Sequence, residues 1–286
     1  MIYLSINSRS IPKKRIFLEI FLRLTVSEYI KQLQSFEEYS FSIEEAVKNT
    51  SKDAIAVKRE ISRLTQKKEI LNLRKGFYLI IPPRYATSKK LPLQLYVEKL
   101  FKSLDRKYYV GLYAAAKIHG AGHQQSQRDY LIIDPPKLNT IKKKSFDIQF
   151  FTTSTWPNHN INIKKSDAGV YQISSPALTF IDLVHHHTKI GGLNRMLASL
   201  EELIEEIDEI EMKALISWYP HKSTLQRTGF LLEELKSENA LTDIVYNHIK
   251  QQPYFPVLMS PKKNQKPGAV DNKWKVDVNI KLESDL

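Results

Sequence analysis

Three sets of residues in this chain could do chemistry, and two of them have spacings that argue against it. His185-His186-His187 invites a metal-site reading. Successive positions of a helix point about 100° apart, so three in a row cannot converge on one ion. His119 and His123 stand four apart, but Gly120 and Gly122 lie between and spoil a helical ligand pair. The chain has no cysteine, which excludes disulfides, thiol catalysis and cysteine-ligated zinc. The histidine run is expected at a helix C-terminus, where imidazoles meet the negative end of the dipole. No metal ligand and no cofactor site is assigned.

The carboxylates are the second set. Asp129, Asp134 and Asp147 fall on or beside expected strands, and Asp277, Glu283 and Asp285 near the end. A metal-dependent nuclease needs a carboxylate at one strand end and an acid–x–Lys on the next strand. Asp147-Ile148-Gln149 and Asp277-Val278-Asn279 both lack the lysine. There is no glycine-rich phosphate loop, serine nucleophile elbow or zinc-protease motif. The acidic run Glu201, Glu202, Glu205, Glu206, Asp208, Glu209, Glu211 reads as a solvated helix face. No catalytic residue follows, and the chain is read as a non-enzyme, with a nuclease kept as the enzymatic alternative.

The third set is basic, and its spacing fits nucleic-acid recognition. From about residue 51 to 67, Ala54, Val57, Ile61 and Leu64 recur at three- and four-residue intervals, one apolar stripe of a helix. Arg59 falls opposite that stripe. Lys52, Ile55, Ser62, Arg63 and Gln66 flank it, with Lys58 and Lys67 at the shoulders. An outward face of cations, small polar groups and one aliphatic suits the major groove, where Arg pairs with guanine and an apolar group meets a thymine methyl. Lys52, Ile55, Arg59, Ser62 and Arg63 are assigned to the groove, and Lys58, Gln66 and Lys67 to phosphates.

The flanking elements supply the frame. Ser42 with Glu45 has capping-box spacing, so a short helix is expected over 42–49. Thr50 with Asp53 has the same spacing and predicts the next helix start near Ser51 or Lys52. The β-prone runs 70–74 and 77–81 are joined by Lys75-Gly76, a hairpin turn, and closed by Pro82-Pro83. Helix, helix and basic-tipped hairpin is the winged helix-turn-helix order, with Arg74 and Lys75 reaching phosphates beside the groove. A first helix over 27–38 with Ser27 as cap completes this module. A protein-interaction role for the same winged module is the non-enzymatic alternative.

The length of 286 residues allows two domains. The expected division is an N-terminal extension over 1–24, the winged module over 25–90, with 84–90 as linker, and a larger domain over 91–286. In that larger domain, helices are expected at 93–104 and 108–119. Strands follow at 129–133, 146–151 and 168–174, and a helix at 177–187. Four more helices span 193–207, 211–219, 223–236 and 241–251, and strands 257–260 and 273–282 close the chain. The fold class is therefore α+β: an N-terminal winged helix-turn-helix, then a mixed α/β domain with a helical bundle packed on a sheet.

Charge agrees with this division. The formal charge is +12. Residues 1–90 carry 18 Lys/Arg and 9 Asp/Glu, or +9; residues 91–150 carry 10 and 5, or +5; residues 151–286 carry 15 and 17, or −2. A basic N-terminal half attracts polyanions. The apolar run 16–24 is interrupted by Glu19 and Arg23 and is too short to span a bilayer. A cytoplasmic protein with no membrane partner is expected.

Several phrases carry a family resemblance: GFYLIIPPRY at 76–85, YYVGLYAAAKIHGAGHQQSQ at 108–127, VYQISSPALTFIDLV at 170–184 and WKVDVNIKLESD at 274–285. From about Thr25 onward the chain resembles the AbiEi family, the antitoxin of type IV toxin–antitoxin (abortive infection) systems of phage defence. The resemblance implies a transcriptional autorepressor that binds inverted repeats of double-stranded DNA in its own promoter. It also implies a C-terminal domain that counters an AbiEii-like, nucleotidyltransferase-like toxin without a stable complex. Residues 1–24 extend beyond the family pattern.

Overall fold

The computed structural model describes residues 24–88, 90–122, 128–157, 159–236 and 240–283. The expected extension over 1–24, apart from Leu24, and His123 and Asp285 lie outside these residues. The chain forms two compact units, one ending at Asp105 and including Ser166–Gly169, the other comprising Arg106–Lys165 and the chain from Val170 on.

The first unit runs α1 (Val26–Ser35), β1 (Ser40–Ser42), α2 (Ile43–Lys48), α3 (Ala54–Gln66), β2 (Ile70–Arg74), β3 (Phe77–Ile80) and α4 (Val97–Lys102). Its sheet has the order β1-β3-β2, antiparallel throughout. Gly76 takes φ +81 at the hairpin turn, a conformation that L side chains rarely adopt. Val26, Tyr29, Ile30 and Leu33 of α1 pack with Val57, Ile61 and Leu64 of α3 and with Ile70 and Ile80 of the hairpin.

Two helix starts differ from the sequence reading. The cap of α1 is Thr25, in a box with Glu28, rather than Ser27. The cap of α3 is Asp53, whose carboxylate accepts from the Ile55 and Ala56 amides, both at 2.8 Å. Thr50 does not cap it, because its hydroxyl donates back to the Ala46 carbonyl at 2.8 Å and closes the end of α2. Ser42 and Glu45 form the expected box. Residues 91–105 fall within this unit: α4 packs on β1, and Lys99 pairs with Glu38.

The second unit holds a six-stranded mixed sheet of order β6-β7-β5-β4-β9-β8. Its strands are β4 (Tyr108–Val110), β5 (Asp129–Ile133), β6 (Ile141–Lys143), β7 (Phe146–Thr152), β8 (Ile161–Ser166) and β9 (Gly169–Ser174). The pairs β5–β7 and β4–β9 are parallel, and β4–β5 and β6–β7 antiparallel. The helix expected over 108–119 is β4 followed by α5 (Leu112–Ile118). Tyr108, Tyr109 and Val110 are all buried between neighbouring strands, and Gly111 breaks the chain beside Ile132, where a Cβ would stand 3.0 Å from Cγ1. β8 is a half-exposed edge strand that its polar composition concealed.

Against the sheet pack α6 (Pro176–His186), α7 (Leu197–Glu206), α8 (Glu209–Trp218), α9 (Lys222–Leu235) and α10 (Ala240–Ile249). From Ala177 to Val184 every residue of α6 is buried, as expected of a helix that is apolar all round. The final strands are short. β10 (Val257–Leu258) pairs in parallel with β11 (Val276–Asp277), and the expected strand to 282 stops there. The Asn279 side chain takes over the ladder, accepting from the Ser260 amide at 2.9 Å and donating to its carbonyl at 2.8 Å.

Candidate nucleic-acid interface

α3 is held by its inner face and leaves the opposite face open. Ile55, Arg59, Ser62, Arg63 and Gln66 follow one another at intervals of three, four or one along that side, and all are exposed. Ile55 is 65% exposed, an unusual position for an isoleucine. Lys58 and Lys67 are exposed at the edges. Among the described residues, the side-chain nitrogens of Lys58, Arg59, Arg63 and Lys67 make no hydrogen bond or ion pair.

Lys52 differs from this group. It precedes the Asp53 cap and bonds Glu60 at 2.6 Å. Burial pushes the Glu60 carboxyl up, but the Lys52 hydrogen bond and charge, with bonds from Ser27 and Val26, outweigh it and hold the group below its usual range. Lys52 thus ties the residue before the Asp53 cap to Glu60 on α3, and Glu60 accepts in turn from the Ser27 hydroxyl of α1 at 3.5 Å. On the hairpin, Lys75 is exposed at the tip, while Arg74 is half-buried, and burial lowers its pKa. A bulge between Asn72 and Arg74 and an Asn72 side-chain bond to the Arg74 carbonyl (2.9 Å) shape that corner.

The second unit contains a polar cluster that the sequence reading missed. Tyr109, Asp182, His185, His186, Trp218, Tyr219 and His221 surround a cavity of ≈ 80 Å³. The buried Tyr109 hydroxyl donates to Asp182 Oδ2 at 2.9 Å. Burial pushes the Asp182 carboxyl up to about 7, against the Tyr109 hydrogen bond. Burial also drives His185 down to about 4 and His186 to about 3. These two are neutral, so a charged imidazole on the helix dipole does not describe them. His187 Nδ1 does meet the Val184 carbonyl at 2.7 Å, at the helix end. The available signal was Asp182 itself, the one acidic residue in the apolar segment 177–184.

The three histidines have different partners, although His185 and His186 line the same cavity and their rings meet edge-on at 4.6 Å. His185 bonds the Thr224 hydroxyl at 3.0 Å and stacks on His221, His186 lies against Phe151, and no group of three metal-ligating side chains converges among the described residues. His119 contacts the Ser174 carbonyl at 2.7 Å. Of the nuclease carboxylates, Asp147 is ion-paired with Arg128 at 3.0 Å and Asp134 with Arg106 at 2.9 Å. No helix among the described residues is long and apolar enough to cross a membrane.

The chain is thus an α+β protein with a small helix-and-hairpin unit and a larger unit of helices on a mixed sheet. Residues 109–234, from β4 to near the end of α9, match the family described as the AbiEi antitoxin C-terminal domain. No curated protein matches the chain. Among solved structures, the RV2827C protein from Mycobacterium tuberculosis shares the fold, with a TM-score of 0.61 and 12% identity over 88% of this chain and 90% of that one. An antigenic nucleotidyltransferase-like protein from Paracoccidioides brasiliensis overlaps less, with a TM-score of 0.34 and 10% identity over 52% of this chain and 88% of that one.

Proposed function

We propose that residues 25–90 are a winged helix-turn-helix reading operator DNA, and that the chain is an autorepressing antitoxin. α3 is the recognition helix and the β2–β3 hairpin is the wing. The observation that carries this reading is the α3 outer face. Ile55, Arg59, Ser62, Arg63 and Gln66 stand exposed there, the two arginines unpaired among the described residues, beside a hairpin tipped by Lys75. Arg59 and Arg63 suit base edges, and Lys58, Lys67 and Lys75 suit phosphates. Lys52, engaged with Glu60, acts by positioning the helix and not by reading bases.

The target is an inverted repeat in the protein's own promoter, occupied by two copies of the chain. The second unit counters a nucleotidyltransferase-like toxin without a stable complex. The setting is phage defence by abortive infection in the cytoplasm, and the chain itself catalyses nothing.

Fluorescence anisotropy with the upstream duplex and a scrambled duplex, each at several salt concentrations, tests the DNA-reading step. Sequence-preferring binding that weakens steeply with salt is expected, with a slope that reports the phosphate contacts. Equal, weak binding to both duplexes would leave a basic surface only and favour a protein partner for the winged module. Cleavage of the duplex on adding Mg²⁺ or Mn²⁺ would contradict the non-enzymatic reading.

A further inference from the structure

The segment following α10 lies beyond the residues matched to the AbiEi family and has a surface of its own. Phe255 is 76% exposed there. Its backbone is fixed, because the buried Gln226 amide donates to the Phe255 carbonyl at 2.9 Å and to the Trp274 carbonyl at 2.8 Å. Val257, two residues on, donates to the Lys275 carbonyl at 2.9 Å. Pro253 and Pro256 stiffen both flanks. The ring is therefore held out on a rigid support, at the edge of an open groove of ≈ 490 Å³ that Lys250, Tyr254 and Lys275 also line.

Lys250 and Lys275 line the same groove as the ring. Lys275 lies over the Tyr254 ring at 4.6 Å, and Lys222 reaches the Gln252 side chain and the Pro253 carbonyl at 3.1 and 3.2 Å. Among the described residues, Lys222, Lys250 and Lys275 have no carboxylate partner. Residues 250–275 hold six lysines and one aspartate, or +5, whereas residues 151–249 hold 8 Lys/Arg and 13 Asp/Glu, or −5. The basic charge is thus concentrated in this stretch of sequence, with Lys273 paired to Glu233 at 2.9 Å.

We propose that this groove binds a single-stranded nucleic acid. The lysines meet the phosphates and a base stacks on Phe255. An acidic peptide would satisfy the lysines and leave the ring wet. A duplex would offer phosphates but hide its base faces. An unpaired strand offers both charge and an apolar plane.

The test uses the full chain with fluorescein-labelled oligo(rU), oligo(dT) and a scrambled duplex. Both single strands should bind more tightly than the duplex at equal salt, and comparing the two sugars distinguishes an RNA from a DNA source. Phe255→Ala should weaken single-strand binding by about tenfold, and Phe255→Trp should retain it. Lys250→Gln with Lys275→Gln should reduce the salt slope by about 1.4, at about 0.7 per lost phosphate contact. Arg59→Ala, in the first unit, should leave single-strand binding unchanged, so this result stands or falls separately from operator recognition. The proposal is overturned if neither single strand binds, if the duplex binds as tightly, or if Phe255→Ala leaves the affinity unchanged. Phe255 is exposed, so its variants are expected to keep the wild-type circular dichroism.

Discussion

The indole of Trp274 lies directly on Gly229 of α9, where an added Cβ would stand 2.0 Å from Cζ3 and 2.3 Å from Cη2. The ring is fully buried, its Nε1 donates to Glu233 on the same helix, and Tyr246 of α10 meets it edge-on at 5.5 Å. The helix accepts the conformational cost of a glycine because the tryptophan occupies the space of a side chain. This contact fastens the C-terminal segment to the bundle.

Gly229→Ala should therefore destabilise the second unit. A glycine-to-alanine change in a helix interior normally gains about 1 kcal/mol. Overpacking a filled core costs about 1–3 kcal/mol, and here rigid ring atoms would have to move. A net loss of about 2 kcal/mol in urea unfolding is expected. An unchanged midpoint would mean that the indole is free to shift.

The buried cluster on α6 should set opposing pH dependences. The Asp182 carboxyl, raised by burial to about 7, favours folding while protonated. Its contribution is full below about 4, where the unfolded carboxyl also holds its proton, and is lost as pH rises through about 7. His185 and His186, lowered by burial to about 4 and about 3, contribute stability above about 6.5 that is lost as pH falls. Urea midpoints from acid to neutral pH separate the two. Asp182→Asn should remove the decline toward neutral pH and leave the acid limb. An Asn variant with the wild-type profile would refute the Asp182 assignment.

His186 is itself suited to replacement. Its Nδ1 is buried without a partner among the described residues, and its ring lies 4.7 Å from that of Phe151. An apolar ring of similar shape removes an unsatisfied group, which is often neutral or stabilising. His186→Phe should match or exceed the wild-type midpoint at neutral pH and should flatten the acid limb. Marked destabilisation at neutral pH would show that the imidazole has a role its contacts do not reveal.

The cap of α3 connects stability to the proposed DNA reading. Asp53→Ala should cost about 1 kcal/mol, with Asp53→Ser recovering most of it. Thermal unfolding of the three proteins measures this. If Thr50 were the cap instead, the Asp53 substitution would have little effect.

Operator binding should distinguish the roles of the cations. Arg59→Ala should cost about 1–3 kcal/mol on the upstream duplex and relax sequence preference. Lys75→Ala should weaken all duplexes alike and lower the salt slope by about 1. Lys52→Ala should change binding less than Arg59→Ala, because its ammonium is held by Glu60. Anisotropy titrations of the three variants on both duplexes measure each effect, and wild-type binding by both Arg59→Ala and Lys75→Ala would overturn the α3 assignment.

By itself the sequence determined the features that act over a few residues. The Ser42–Glu45 box, the Lys75-Gly76 turn and the Val57, Ile61 and Leu64 stripe of α3 are short-range features, and the structure contains them, although Ala54, expected in that stripe, is exposed. The 108–127 and 170–184 phrases pointed to the family that residues 109–234 match. Tertiary structure decided what depends on distant partners. Tyr108–Val110 pairs with β5 and β9 as a strand, which its aromatic and β-branched residues favour, and the helix begins only after Gly111. Competition between nearby donors chose Asp53 over Thr50 as cap. The cavity at Asp182 joins residues from Tyr109 to His221, and no local pattern brings them together. Its chemistry arises from burial, because loss of water is what moves the carboxyl and imidazole pKa values.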